Sequence, residues 1–243
     1  MDGRGCKRIH PHLRQSGCHP SSGDQGSKPF GKSMSQSIRA GIVGGAGYTG
    51  GETLRLLVNH PNVEVAFIQS RSHAGHPVTD VHTDMKGDTD LVFSADTAAA
   101  DVVFLCLGHG ESEKYLSSHP LPSGTRIIDL SQDFRLERAG NNFIYGLPEA
   151  NRNSIRGAHH VANPGCFATA IQLGLLPLAK AGKLGTVHTT GITGSTGAGQ
   201  KLQETTHFTW RFGNISAYKT LDHQHMNEVK QTLKRLQPTL LRR

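Results

Sequence analysis

Cys166 stands behind an Asn-Pro-Gly turn and ahead of a helix-forming run, in "HHVANPGCFATAIQLGLLPLAKAG" (residues 159–182). Apolar positions Ala168, Ile171, Leu175 and Leu178 recur at three- and four-residue spacing, and Gly182 supplies a C-terminal stop. Pro164 and Gly165 end the preceding strand and permit an unusual backbone before the first turn. A cysteine placed there meets backbone N–H groups that lack partners and the positive end of a helix dipole, which together favour thiolate over thiol. The same N–H groups would hold an oxyanion formed when the sulfur attacks a carbonyl. The local sequence equally admits a small apolar plug at a helix start.

A second chemical signature lies upstream. In "IRAGIVGGAGYTGGETLRLLVNHPNVEVAFIQS", Gly45-Ala46-Gly47-Tyr48-Thr49-Gly50 satisfies G-x-G-x-x-G, and Gly44, Gly47 and Gly50 form a second glycine triplet. Such glycines make a tight turn and let a backbone approach a pyrophosphate, which rests on the helix that follows. The required context is present: a strand precedes the turn, and Leu54, Leu57 and Val58 follow at helical spacing. An NAD-binding unit usually has a carboxylate about 20 residues on, bonded to the ribose hydroxyls. Here the corresponding stretch, "QSRSHAG", offers Ser70, Arg71 and Ser72 instead. A guanidinium flanked by hydroxyls suits a 2′-phosphate, so NADP is favoured over NAD.

These residues need strands and helices to hold them. "ADVVFLCLGHG" and "GTRIIDLSQDFRL" each contain an apolar strand, and continuous apolar runs fit a parallel sheet covered on both faces. Cys106 lies inside such a run and is expected in the core. The "GITGSTGAGQK" loop, rich in small residues, is expected to follow a strand. The helix from Asn227 to Leu236 meets Pro238, and the closing "LQPTLLRR" looks like a truncation or frame change rather than a designed terminus.

Composition sets the remaining bounds. The 243 residues suffice for one large domain or two modest ones. The net charge of +7 is concentrated: residues 1–40 carry +5 and the other 203 only +2, so the balance does not argue for nucleic acid. Four cysteines without paired spacing point to a reducing compartment, the cytoplasm, and no apolar run suggests a membrane span or secretory signal. The Gly-, Ser- and Lys/Arg-rich residues 1–36 are expected to be a disordered extension, with Met34 a candidate start and an organelle transit peptide a minor alternative. Cys6, His10, His12, Cys18 and His19 lack zinc spacing, and no metal is expected.

Six segments in order, "GGAGYTGGE", "IDLSQDFRL", "YGLPE", "ANPGCFATA", "TGITGSTGAG" and "YKTLDHQHMNEV", closely resemble N-acetyl-γ-glutamyl-phosphate reductase, a semialdehyde dehydrogenase-type enzyme, over about residues 36–237. The chain departs from that pattern at Phe167, where tyrosine is commoner, and at Ala168, where proline is usual. The resemblance implies an α/β fold: a Rossmann-type NADP-binding domain (37–162), then an incomplete α+β substrate domain (163–243). It implies NADPH-dependent reduction of an acyl phosphate to a semialdehyde through a Cys166 thioester, in arginine biosynthesis, and homo-oligomers if the second domain were complete.

A group must then hold the thiolate and move protons, and "DHQH" offers His223 and His225. Residues two apart point the same way in an extended segment and diverge at a helix start. By comparison with related semialdehyde dehydrogenases His225 is favoured, with His223 second, and Glu228 could orient either imidazole. Asn163, Arg135, Ser195 and Lys201 are assigned to the substrate. Gly197, with Gly199, is expected beside the cofactor and nucleophile. A truncated inactive remnant, a non-catalytic NADP-binding protein and aspartate-semialdehyde dehydrogenase remain the alternatives.

Overall fold

The computed structural model describes residues 37–238, which lie within one compact unit. The expectations for residues 1–36 and for the last five residues fall outside it.

Six strands form one wholly parallel sheet in the order β2-β1-β3-β4-β6-β5. They are β1 (Ile38–Val43), β2 (Val63–Gln69), β3 (Val102–Leu105), β4 (Arg126–Asp129), β5 (Ile144–Tyr145) and β6 (His160–Ala162). The helices are α1 (Tyr48–Val58), α2 (Ser112–Ser118), α3 (Pro148–Arg156), α4 (Cys166–Lys180), α5 (Phe208–Arg211) and α6 (Met226–Leu236). Apolar residues on both faces of the central strands explain why they read as continuous runs. Leu54 and Leu57 of α1 pack with Ile42, Ile68, Met85, Phe93 and Cys106 on one face. Tyr115 and Leu116 of α2 pack with Val43, Phe67, Val103, Leu105 and Ile127 on the other.

Register places the site. Gln69, Val43, Leu105, Asp129, Ala162 and Tyr145 are paired in turn across the sheet and mark its C-terminal edge. The glycine loop, the Ser70–Ser72 turn, the Gly108–Gly110 turn, the 131–135 loop and the Cys166 turn all leave the sheet at this edge. Between β1 and β3 the strand order reverses, and open sheets of this kind bind ligands in the crevice at such a switch point.

α4 begins and α6 ends where the sequence expects. The two helices pack together through Ala168, Ala179, Leu184, Val229 and Leu233. One expectation fails: no strand precedes the "GITGSTGAGQK" loop, and among the described residues no strand follows Ala162. The stretch 183–194 finds no ladder partner, and Ile192 is left 86% exposed. The strands at "ADVVFLCLGHG" and "GTRIIDLSQDFRL" also stop early, at Leu105 and Asp129, where the chain turns into loops.

Candidate active site

The cofactor-side cradle is built from backbone. Gly44 has φ +81°, and a Cβ there would sit 2.5 Å from the Cys106 carbonyl oxygen, so glycine is required by the close approach of β1 and β3. Gly47 is the N-cap of α1, and no side chain caps it. A Cβ on Gly47 would meet only the Gly44 oxygen at 3.6 Å, so the space over this helix end is open. An uncapped helix start facing open space, at a switch point, fits a dinucleotide's pyrophosphate. Gly45 and Gly50 close the turn, and Tyr48 and Thr49 begin the helix. His82, which the sequence did not single out, fixes this loop: its Nε2 lies 2.8 Å from the Gly45 carbonyl oxygen and its ring packs on Gly51.

At the end of β2, Ser70 is buried while Arg71 and Ser72 are exposed. The two serine hydroxyls lie 3.4 Å apart, and each approaches His73 Nδ1. Arg71 Nη2 lies 2.6 Å from His119 Nε2.

The nucleophile side is built from helix ends. Cys166 is the first residue of α4 and is exposed. Its N-cap, Gly165, offers no side-chain cap. The His225 imidazole packs against the Gly165 Cα, where any Cβ would collide with the ring. His223 and His225 lie just before α6 with ring centroids 4.6 Å apart, and both meet Phe167, at 5.2 and 6.4 Å. They therefore converge rather than diverge. His225 is 8% exposed, and its Nδ1 is buried without a hydrogen-bond partner among the described residues. Burial lowers the pKa of both histidines, with Lys219 adding to the effect at His223 and His223 at His225. A neutral imidazole is thus available at neutral pH to accept a proton. A groove of 480 Å³ opens from Cys166 along α4, walled by Phe167, Ala170, Ile171 and the 189–193 segment.

Glu228 hydrogen-bonds to neither imidazole. It is 4% exposed, and its Oε2 accepts from the Gly165 N–H at 2.9 Å and the Tyr145 hydroxyl at 2.8 Å. Its Oε1 faces Arg135 Nη1 at 3.3 Å. Arg135 is 6% exposed, and its Nε and Nη2 donate to the Asn163 and Leu130 carbonyl oxygens. The guanidinium read from sequence as a substrate clamp is therefore turned inward, holding Glu228 and the turn before Cys166. Gln172 of α4 donates to the Tyr145 hydroxyl at 2.7 Å and completes the cluster. Burial and the neighbouring Glu228 carboxylate push the Tyr145 phenol well up. The motifs "YGLPE" and "DFR" marked these segments, but nothing in one sequence shows that they meet.

Asn163 is exposed beside the nucleophile, with Nδ2 3.2 Å from the Pro164 oxygen. Ser195 and Lys201 lie elsewhere: they line a second hollow of 690 Å³ with Tyr48 and Gly199, and Gln200 Nε2 donates to the Ala46 oxygen at 3.2 Å. This segment thus lies against the glycine loop, and Gly197 sits in the same short turn.

Residues 39–158 match the family model described as semialdehyde dehydrogenase, NAD binding domain, and residues 166–241 match semialdehyde dehydrogenase, dimerisation domain. The chain belongs to the semialdehyde dehydrogenase family. Among relatives within it, the N-acetyl-gamma-glutamyl-phosphate reductase of Bacteroides thetaiotaomicron is 57% identical over 203 residues, and that of Parabacteroides distasonis 52%. Each alignment covers 82% of this chain, and the chain spans only 63% of the length of either relative. A crystal structure of aspartate semialdehyde dehydrogenase II from Vibrio cholerae, complexed with ASA, superimposes with a TM-score of 0.50 at 20% identity. That match covers 68% of this chain and 49% of the other, and it shows the semialdehyde dehydrogenase fold.

Proposed function

We propose that the chain carries the catalytic centre for reducing N-acetyl-γ-glutamyl phosphate to N-acetylglutamate semialdehyde, the reductive step of arginine biosynthesis. The observation that carries this reading is an exposed thiol at an uncapped helix start, with a buried imidazole against the preceding glycine. Residues 37–162 form the dinucleotide-binding part, and residues from 163 onward bring the nucleophile and its histidines. The likeness to the named reductases supports the substrate.

In this mechanism Cys166 Sγ attacks the acyl carbon, the C–S bond forms, the C–O bond to phosphate breaks, and phosphate departs. The His225 imidazole, whose Nε2 edge lies against Gly165, receives the thiol proton and returns it to the sulfur as the hemithioacetal collapses, the C–S bond breaks and the semialdehyde leaves. His223 shields that ring. The N–H groups at the start of α4 face the developing oxyanion, and Asn163 borders the same space. Glu228, with Arg135, Tyr145 and Gln172, fixes the backbone that aims the sulfur. A bound NADPH would supply the hydride that reduces the thioester. Arg71, with Ser70 and Ser72, would hold its 2′-phosphate, while Ser195, Gly197 and Lys201 would cover the glycine loop. Residues 166–241 would pair with a second copy, as their family model's description suggests. A reduced Cys106 and Cys166 suit the cytoplasm.

The test is phosphate-dependent NADPH formation from N-acetylglutamate semialdehyde and NADP, lost in Cys166→Ser. A second reading is a chain that binds cofactor without turnover. It draws on the exposed Ile192, Leu202, Phe212, Ile215 and Leu221 of the stretch after Ala181. Tight NADPH binding without NADPH formation would select it.

A further inference from the structure

The contact between Arg71 and His119 goes beyond the residues assigned so far, and it rests on the NADP reading above. His119 is the C-cap of α2, with its backbone N–H on the Tyr115 oxygen. Its ring stacks on the Tyr115 ring at 4.6 Å and 9°. Tyr115 in turn reaches Gln69, the last residue of β2, through its hydroxyl at 3.4 Å. A chain of side chains therefore ties the C-terminus of α2 to the strand end that presents Arg71.

Proton positions follow from chemistry. Arginine can only donate, so at 2.6 Å from Arg71 Nη2 the His119 Nε2 must be an acceptor. The ring proton then sits on Nδ1, which has the Ser118 hydroxyl at 2.8 Å and the Tyr115 carbonyl oxygen at 3.3 Å. Capping by Nδ1 would account for a histidine at a helix C-terminus. It does not account for Nε2 being aimed at the one cation of the "QSRSHAG" turn.

We propose that His119 is a specificity residue of the cofactor site, completing with Arg71 the pocket for the 2′-phosphate of NADP. Without cofactor, Nε2 holds the Arg71 guanidinium in place. With the phosphate present, Arg71 donates to the phosphate oxygens, and in the other ring tautomer His119 Nε2 becomes a second donor to them while Nδ1 accepts from the Ser118 hydroxyl. A 2′-hydroxyl, uncharged, gains little from either group, so the pair discriminates by charge.

Binding of NADPH and NADH to the full chain, followed by nucleotide fluorescence, tests this without turnover. His119→Ala is expected to weaken NADPH about tenfold and to change NADH less than twofold, and His119→Gln, which keeps a polar atom near Nε2, to recover most of the loss. Arg71→Ala should weaken NADPH at least as much. Equal losses for both nucleotides in His119→Ala would show a packing role through Tyr115 and overturn the proposal. So would an unchanged NADPH affinity in His119→Ala beside a large loss in Arg71→Ala, which would leave the NADP reading standing. Loss in neither variant would overturn both.

Discussion

Cys166 and Cys106 differ in exposure, which decides whether a reagent can reach a thiol. Cys166 is exposed at a helix start, whereas Cys106 is 7% exposed under α1, where burial raises its pKa to about 11. Iodoacetamide is therefore expected to modify Cys166 in minutes and to leave Cys106 intact until the chain unfolds, as peptide mapping would show. Comparable labelling of both would contradict the assignment of the core. Arg71 yields a second prediction at this scale. Replacement by alanine should weaken NADPH by ten- to a hundredfold, since a charge-assisted contact contributes roughly 1.5–3 kcal/mol, and should spare NADH. Equal losses would contradict the 2′-phosphate role.

Among the elements, the turn from β6 into α4 carries the most constraint. Gly165 touches the His225 ring through its Cα and donates its N–H to Glu228. Gly165→Ala must push the imidazole aside, and misplacement of about 1 Å can lower a rate by a hundredfold. The expected outcome is a folded protein with acylation of Cys166 slowed at least tenfold; an unchanged rate would show that His225 has freedom to move. Glu228→Gln leaves the Arg135 charge buried without its partner, and breaking a buried pair costs about 3–5 kcal/mol. A drop of that order in urea-unfolding stability is expected, and a change below 1 kcal/mol would mean the ion pair contributes little. Much of this was legible beforehand. The glycine turn, the Cys166 helix and the final helix follow from local spacing, which is how helices and tight turns are encoded. The inward turn of Arg135 was not legible, because its partners at 163 and 228 are distant in sequence and only packing brings them together. The strand expected before residue 191 failed for the converse reason: a strand exists only where another chain segment offers its edge.

Across the whole molecule, burial is the largest cause of lowered pKa at His109, His160, His223 and His225. Each binds its proton less readily folded than unfolded, so the unfolded chain holds more protons as pH falls through about 6.5. Stability is therefore expected to be full above neutrality and to decline on acidification from that point, as urea midpoints between pH 8 and 5 would show. A flat profile would contradict the burial of these rings. The same scale separates firm from loose regions: residues 38–181 share the sheet and its helices, while 185–222 hold short turns, the one-turn helix α5 and exposed apolar side chains. Limited proteolysis should cut first within 185–222 and leave a fragment through α4. Uniform resistance would mean this stretch is covered.

The central claim is that Cys166 becomes acylated by an acyl phosphate, and mass spectrometry of the chain mixed with N-acetyl-γ-glutamyl phosphate, without NADPH, tests it most directly. The account predicts a single acyl group on the peptide containing Cys166, released by hydroxylamine as a thioester should be and absent from Cys166→Ser. No adduct, or an adduct that persists in Cys166→Ser, would contradict it.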